Sequence, residues 1–277
     1  MKQAVQRAIN KTKTKTAKTA VTTASLYSWN KWLAVIHAAQ GAAILLLSAT
    51  KTFPLTTNYL TVDPLASEAA GNPVLALATR SLADVNIAFL IAGFFFISAI
   101  AHASAAWWCR KTYASDLKKG VNRIRWFEYA ASASLMLVAI AMLTGVADLS
   151  ALLMIFALSA VMNLLGLAME IYNQGRAKPN WLAYMLGCVA GVVPWVVLAI
   201  YLVGAGLYGE GGIPTFVYWI YASLFVFFNG FAINMWLQYK KKGKWAQYLY
   251  GERMYMILSL TAKTALAWQV FFGTLRP

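Results

Sequence analysis

The sequence predicts an all-α protein, a bundle of seven transmembrane helices. Of its 277 residues, 60% are hydrophobic and only 12% are charged, whereas a soluble domain has about 45–50% apolar and about 25% charged residues. Seven apolar runs have the length of a membrane-spanning helix, and basic residues collect in alternate connections between them. This composition excludes a water-soluble enzyme, a disordered chain and, despite a net charge of +15, a soluble nucleic-acid-binding protein.

The seven runs are 19–27 residues long, and a helix needs about 20 apolar residues to cross a bilayer core of about 30 Å. They lack the two-residue alternation of a membrane β-strand, and glycine and proline punctuate the gaps between them. The predicted spans are Ser28–Leu47, Leu82–Trp108, Ile124–Gly145, Ser150–Tyr172, Trp181–Val203, Thr215–Gln238 and Met254–Phe272.

The segments outside the spans carry further predictions. Residues 1–27 are rich in lysine and threonine and are predicted to form a basic, disordered tail, which leaves residues 28–277 as the membrane domain. The long connection Ser48–Ser81 has β-prone residues between prolines, so a short β-hairpin is expected in this first exterior loop. Cys109 and Cys188 give neither a disulfide framework nor a metal-ligand spacing, and both are expected to be buried free thiols.

Basic residues set the predicted orientation. The segment up to Lys31 has seven Lys or Arg, residues 109–125 have six, residues 173–180 have two and residues 239–253 have five. The opposite side has Lys51, Arg80 and Arg276. Because basic connections stay in the cytoplasm, the N-terminus is predicted to be cytoplasmic and the C-terminus exterior, in a multi-pass protein of the cell membrane. The basic face is expected to contact anionic lipid, with docking of a soluble partner as the alternative.

Few ionisable side chains lie at membrane depth, where each costs at least about 2.5–3.5 kcal/mol and therefore indicates function. Lys263 lies in the middle of the seventh span and Glu128 in the third, whereas Glu170 and Asp84 are expected to be solvated or interfacial. A buried lysine must lose its proton, pair with an anion or be modified, and a Schiff base with an aldehyde is one such modification. The protonated imine needs a carboxylate nearby, which Glu128 can supply. A plain Lys–Glu ion pair in a transporter or membrane enzyme is the alternative.

Aromatic side chains in the spans can line a pocket for a long apolar ligand. Lipid contact or core packing is the commoner use of such rings, so their support for a ligand pocket is modest. The rings considered are Trp126, Trp195, Trp219, Tyr221, Phe225, Trp236 and Trp268, of which Trp236 and Trp268 are assigned to the cofactor site.

The local sequences resemble one family, the heliorhodopsins. The resemblance rests on NRIRWFEYAASAS at residues 122–134 and SLTAK at residues 259–263, with matching His37, Ser98 and His102, and it covers all seven spans. It implies a seven-helix retinal protein with the inverted orientation that the loop charges indicate independently. The lysine-rich N-terminal tail is not part of the family pattern.

The resemblance also implies the site. Lys263 would carry all-trans retinal, Glu128 would be the counterion, and Ser259 and Ser132 would belong to the cofactor site. A polar, hydrated cavity on the cytoplasmic side would be lined by His37, Ser98, His102 and Asn122. For Ser98 and Ser259 the alternative is a hydrogen bond to the carbonyl four residues back, and for the histidines it is a satisfied place in the core. Family members are typically homodimers.

The predicted function is therefore that of a light-sensing photoreceptor and not of an enzyme. Outward pumping needs several intramembrane carboxylates. The third span has no second carboxylate one helix-length beyond Glu128, and Ser259 occupies the position at which retinal pumps commonly have a second carboxylate. We expect a proton to move within the cytoplasmic-side cavity and a conformational signal to reach an unidentified cytoplasmic partner. A light-gated proton or ion conductor is the alternative. Expected partners are the lipid bilayer and a second copy of the chain, with no nucleic acid.

Overall fold

The computed structural model describes residues 21–277, so most of the predicted tail over residues 1–27 lies outside the described residues. Within residues 21–277, seven helices are long and apolar enough to cross a membrane, as predicted, and the chain is an integral multi-pass membrane protein. The elements are α1 (Thr23–Leu47), β1 (Thr52–Val62), α2 (Pro64–Ala70), β2 (Leu75–Asn86), α3 (Ile87–Ala103), α4 (Arg110–Lys118), α5 (Arg123–Leu143), α6 (Leu149–Tyr172), α7 (Leu182–Tyr208), α8 (Thr215–Tyr239) and α9 (Tyr248–Val270). Single π-helical segments, Ser104–Trp108 and Phe271–Leu275, extend α3 and α9.

The predicted β-hairpin is confirmed, and it is longer than expected. β1 and β2 pair antiparallel from Thr52↔Asn86 to Val62↔Leu75, and α2 lies in the connection between them. Because β2 continues to Asn86, the second membrane helix begins at Ile87 and not at the predicted Leu82. We call this side of the bundle the hairpin end. The opposite side, which carries α4 and the connection from α8 to α9, is the basic end.

Local capping explains where several helices begin. Thr22 and Ser25 form a reciprocal capping box, so α1 begins at Thr23, five residues before the predicted span. Asp148 caps α6 and also accepts hydrogen bonds from the backbone and side chain of Asn58, which joins the hairpin to the bundle. The hydrogen bonds that Asp148 accepts, first that from the Ser150 hydroxyl, lower the pKa of its carboxyl group.

Helix α5 is the central helix of the bundle. Twelve of its 21 residues are buried, and it packs against α3 and α6. In the half of the bundle nearer the hairpin end, its side chains join a large apolar cluster that includes Ile91, Phe94, Ile140 and Leu266. The outward faces of the other helices expose large apolar side chains, as expected for contact with lipid.

The cysteines are free, as predicted, but the expectation that they are buried is wrong. Both Cys109 and Cys188 are exposed. Cys109 lies between the π-helical end of α3 and the start of α4, and Cys188 lies on α7 beside a cavity described below. An apolar sequence neighbourhood therefore does not place them in the core, because in a membrane protein the outward helix face is apolar as well.

Candidate functional site

The structure brings Lys263 of α9 and Glu128 of α5 together in the interior. Lys263 Nζ lies 3.1 Å from Glu128 Oε1, and the two side chains are 2% and 3% exposed. Lys263 Nζ also donates a hydrogen bond of 2.7 Å to Ser259 Oγ, one helical turn earlier on α9. The sequence reasoning required one buried amine and one buried carboxylate on different helices, and the fold supplies this pair.

Two serines hold the Glu128 carboxylate. The hydroxyl groups of Ser98 on α3 and Ser132 on α5 each lie 2.6 Å from Glu128 Oε1. Ser98 Oγ is also 2.9 Å from the carbonyl oxygen of Phe94, four residues earlier on the same helix. The hydrogen bond to this carbonyl, which is the alternative considered for Ser98, is therefore compatible with the same side-chain position. Three donors thus converge on one carboxylate oxygen, an arrangement that stabilises the ionised carboxylate.

An apolar cavity begins at Lys263 and extends between the helices. Its volume is about 110 Å³, and it is partly open to the outside of the bundle. Gly166 lets the Trp126 ring approach closely, since a Cβ atom at this glycine would collide with the ring. The lining also includes Tyr129, Ala133, Met136, Met162, Asn163, Ala183, Tyr184, Gly187, Cys188, Phe228, Phe231, Ala232, Met235, Ser259 and Ala262. An apolar chamber with one reactive amine at its wall fits a long apolar aldehyde such as retinal.

Of the rings predicted to line the pocket, Trp126 does so, and the structure does not bring Trp236 or Trp268 to this cavity. Trp236 is 40% exposed on α8. Trp268 Nε1 donates to Gln40 Oε1 at 3.2 Å, and its ring lines a different groove beside Trp219. The presence of aromatic residues in the spans indicates that an aromatic pocket is possible. Which of the rings reach the pocket depends on the face of the helix that carries them, and the hydropathy of these spans does not identify that face.

A second, polar cavity lies toward the basic end from Glu128. It is small, with a volume of about 20 Å³, enough for about one water molecule. Its lining includes Asn30, His102, Tyr113, Asn122, Arg125, Glu128 and Glu252. Of the four residues predicted for a polar cavity, His102 and Asn122 therefore line it, and Ser98 sits beside it through its bond to Glu128. His37 stacks on His102 with ring centroids 5.4 Å apart, and neither of its ring nitrogens has a hydrogen-bond partner among the described residues.

The sequence reasoning missed a buried ion cluster at the basic end. Arg125 Nη2 lies 2.5 Å from Glu170 Oε1 and 2.9 Å from Glu252 Oε1. The expectation that Glu170 is solvated or interfacial is wrong, because it is 2% exposed, and Arg125, counted above with the loop cations, is 7% exposed. Asp84, by contrast, is exposed on β2, as expected. The available signal was the presence of acids at an otherwise strongly basic end, since Glu170 and Glu252 stand there beside Asp116 of α4.

Comparisons with known proteins identify the family and the fold. The model of the heliorhodopsin family matches residues 26–275, nearly the whole chain. A comparison with curated proteins finds no match.

Among solved structures, the transmembrane domain of the Salpingoeca rosetta rhodopsin phosphodiesterase has a similar fold. The TM-score is 0.61 at 12% sequence identity, and the alignment covers 90% of this chain and 84% of that one. At this identity the likeness concerns the fold alone, and it shows that the bundle is rhodopsin-like. Heliorhodopsins bind retinal as a general property, so family and fold together support a retinal photoreceptor. By its sequence, the chain belongs to the heliorhodopsin family.

Proposed function

We propose that this protein is a light-sensing photoreceptor in which Lys263 binds all-trans retinal as an imine and Glu128 is the counterion. The observation that carries the proposal is the buried Lys263–Glu128 pair at 3.1 Å, placed at the wall of an apolar cavity. A pair that served only to locate helices would not need an adjoining chamber with apolar walls. When bound, retinal supplies absorption of visible light and a light-driven change of shape.

The residues around the pair have separate tasks in this proposal. Glu128 balances the positive charge at the Lys263 nitrogen, and Ser98 and Ser132 keep that carboxylate ionised and in place through their 2.6 Å hydrogen bonds. Ser259 accepts a hydrogen bond from the same nitrogen. The apolar lining of the cavity excludes water from the side away from Glu128, so that charge is balanced by Glu128 and not by solvent.

A proton that leaves the pair has a polar space to enter. The polar cavity has Glu128 in its wall and His102 beside it, and His102 Nε2 has no hydrogen-bond partner among the described residues. Imidazole is suited to holding a proton transiently near neutral pH. His102 Nδ1 lies 2.8 Å from Asn30 Oδ1, which fixes the ring so that the unpartnered nitrogen is the one that can accept a proton.

The proposed topology places the basic end in the cytoplasm of the cell membrane. In the described residues, the connections at this end include Lys118, Lys119, Lys240, Lys241 and Lys242, as the positive-inside rule requires. A cytoplasmic basic end makes the N-terminus cytoplasmic and the C-terminus exterior. We further propose that the protein is a homodimer, has no enzymatic activity of its own, and signals to a cytoplasmic partner through this basic surface.

The proposal does not include ion transport. The half of the bundle near the hairpin end is filled by the apolar cluster around Phe94, Phe95 and Ile140, which gives a proton at Glu128 no polar route in that direction. Illuminated cells are therefore expected to show no sustained photocurrent. A sustained photocurrent would favour the light-gated conductor.

The deciding test is a spectrum of the purified protein with all-trans retinal. We expect a visible absorption band that changes on illumination, and we expect Lys263→Ala to abolish it because the imine cannot form. Lys51→Ala, which removes an exposed lysine at the hairpin end, is the control and is expected to keep the band. A visible band that survives unchanged in Lys263→Ala, or no band in the unaltered protein, would overturn the proposal.

A further inference from the structure

The ion cluster at the basic end has one more buried acid than it has buried base. Arg125 of α5 bridges Glu170 of α6 and Glu252 of α9. Glu170 is 2% exposed and Glu252 is fully buried. Among the described residues, Arg125 is the cation within 4.0 Å of either carboxylate, so ionisation of both leaves one negative charge unmatched. An unmatched buried charge is costly, and binding a proton removes it.

The surplus charge belongs to Glu252. Glu170 is surrounded by donors, with Arg125 at 2.5 Å, the Trp126 indole at 2.7 Å, the Asn122 backbone N–H at 2.9 Å and the Tyr248 hydroxyl at 3.3 Å. Such a donor set favours the ionised carboxylate and matches it with the Arg125 charge. Glu252 has the Asn122 side-chain amide at 2.6 Å and shares Arg125 at 2.9 Å. Glu252 is therefore the acid whose charge is less compensated.

The Glu252 side chain borders the same polar cavity as Glu128 and His102. A second observation points to water in that cavity. Arg125 is 7% exposed and lines the cavity, and its Nε and Nη1 atoms have no hydrogen-bond partner among the described residues. Buried donors of this kind are ordinarily satisfied by water. A water molecule in this small cavity would border both Glu128 and Glu252, and it would supply the step by which a proton moves from one side of the cavity to the other.

We infer that Glu252 is a second proton-binding site of this protein, which takes up a proton on illumination after the proton leaves the Lys263–Glu128 pair. The inference rests on the proposed function, since it uses the light-driven proton movement. Glu170 is a positioning residue, because it holds Arg125 and leaves Glu252 as the acid with surplus charge. Uptake of the proton cancels that surplus and weakens the Arg125–Glu252 ion pair, which joins α5 to α9.

Other polar groups face this cluster without matching its charge. Among the described residues that line the cavity, the charged groups across from the cluster are Glu128 and, when protonated, His102. The remaining titratable neighbours are phenols, which are neutral near pH 7. They are Tyr113 on α4, Tyr129 on α5, Tyr239 on α8, and Tyr248 and Tyr255 on α9.

Infrared difference spectroscopy between the illuminated and dark states of the full-length, retinal-bound protein tests the inference. A carboxyl group that takes up a proton gives a positive carboxylic-acid C=O band. We expect that band in the unaltered protein, its loss in Glu252→Gln, and its retention in Glu68→Gln, which changes an exposed acid on α2. Glu252→Asp keeps a carboxyl group and is expected to shift the band in frequency, which keeps the test valid if Glu252→Gln does not fold.

Glu170→Gln gives an independent check. With Glu170 neutral, the Arg125 charge is matched by Glu252 alone, so Glu252 is expected to stay ionised and the band to weaken. A band that persists unchanged in Glu252→Gln, a negative band, or no carboxylic-acid band while the visible absorption still responds to light would overturn the inference and leave the photoreceptor proposal intact. Absence of any visible band in the unaltered protein would instead count against the proposed function.

Discussion

Replacing Glu128 by glutamine is the substitution that most directly tests the charge balance of the site. Glutamine keeps the size of the side chain and an oxygen that can accept from Ser98 and Ser132, but it removes the negative charge. At the observed separation of 3.1 Å between Lys263 Nζ and Glu128 Oε1, an effective dielectric constant of about 20 gives an attraction of about 5 kcal/mol. Loss of one partner of a buried pair costs a similar amount, about 3–5 kcal/mol.

An energy of this size is expected to change the protonation of the imine and therefore the absorption spectrum. Since about 1.4 kcal/mol corresponds to a tenfold change in an equilibrium, about 5 kcal/mol shifts the proton equilibrium of the imine by roughly 10³- to 10⁴-fold toward the deprotonated form. We expect the visible band of Glu128→Gln to be replaced by a near-ultraviolet band at neutral pH. At acidic pH the imine of this variant is protonated without its counterion, and the visible band is expected to return at a longer wavelength than in the unaltered protein.

The measurement is an absorption spectrum of the reconstituted variant over a range of pH, with Glu68→Gln as the control for loss of a carboxylate elsewhere. An absorption band that stays at its original wavelength and intensity across neutral pH would refute the reasoning. In that case the positive charge at Lys263 would be balanced by a different group, and the 3.1 Å contact would have no role in the pigment.

Two further predictions concern the groups around the pair. Ser132→Ala removes a 2.6 Å hydrogen bond to Glu128, the proposed counterion, that is worth about 1.5–3 kcal/mol. Because this bond stabilises the ionised carboxylate, the spectral change that accompanies protonation of Glu128 in acid is expected at a pH about 1–2 units higher than in the unaltered protein. Ser134→Ala is the control, because Ser134 is equally buried on the same helix but its hydroxyl has no partner among the described residues. Gly166→Ala is expected to displace the Trp126 ring and to destabilise the folded protein by about 1–3 kcal/mol, as overpacking of a core does. The yield of pigment, measured as visible absorbance per protein, is expected to fall. Gly204→Ala, where a Cβ atom meets nothing within 4 Å, is expected to leave the yield unchanged.

The sequence was sufficient to predict the features that depend only on the order of residues along the chain. Apolar runs of membrane length predict seven spans, and the structure has seven such helices. β-Prone residues between prolines predict the hairpin, although the sequence does not reveal that Leu82–Asn86 extend β2 and delay the second helix. Leu82, Ala83 and Val85 suit a strand as well as a helix, and pairing with β1 places this segment in the strand.

Features that depend on which helix faces meet were less accessible. Lys263 and Glu128 were found because a lone charge in a long apolar run is conspicuous. Arg125 and Glu252 were not found, since each lies near a span end, where a charge is ordinarily solvated. Their burial comes from the convergence of α5, α6 and α9 at the basic end, a property of the tertiary fold. The same limit explains why Trp268 was assigned to a pocket that it does not reach.

The two groups of buried charge are joined by one helix. Arg125, Glu128 and Ser132 follow one another at intervals of three and four residues on α5, so they lie along one face of that helix. Three residues of an α-helix rise about 4.5 Å, which places Glu128, the proposed counterion, within one turn of Arg125 of the ion cluster. Glu128 and Glu252 both face the cavity between these groups, and their negative charges repel each other across it.

A proton in that cavity therefore relieves repulsion whichever carboxylate it joins, whereas the apolar cluster on the other side of the pair offers it no polar partner. In the proposed mechanism, the direction of proton movement follows from this difference between the two halves of the bundle. The proposed direction is toward the basic end, where Arg125 and Glu252 tie together the helices that carry Lys263 and Glu128. A proton that arrived there would alter this contact between the helices, and a signal to the surface would have to change the same contact.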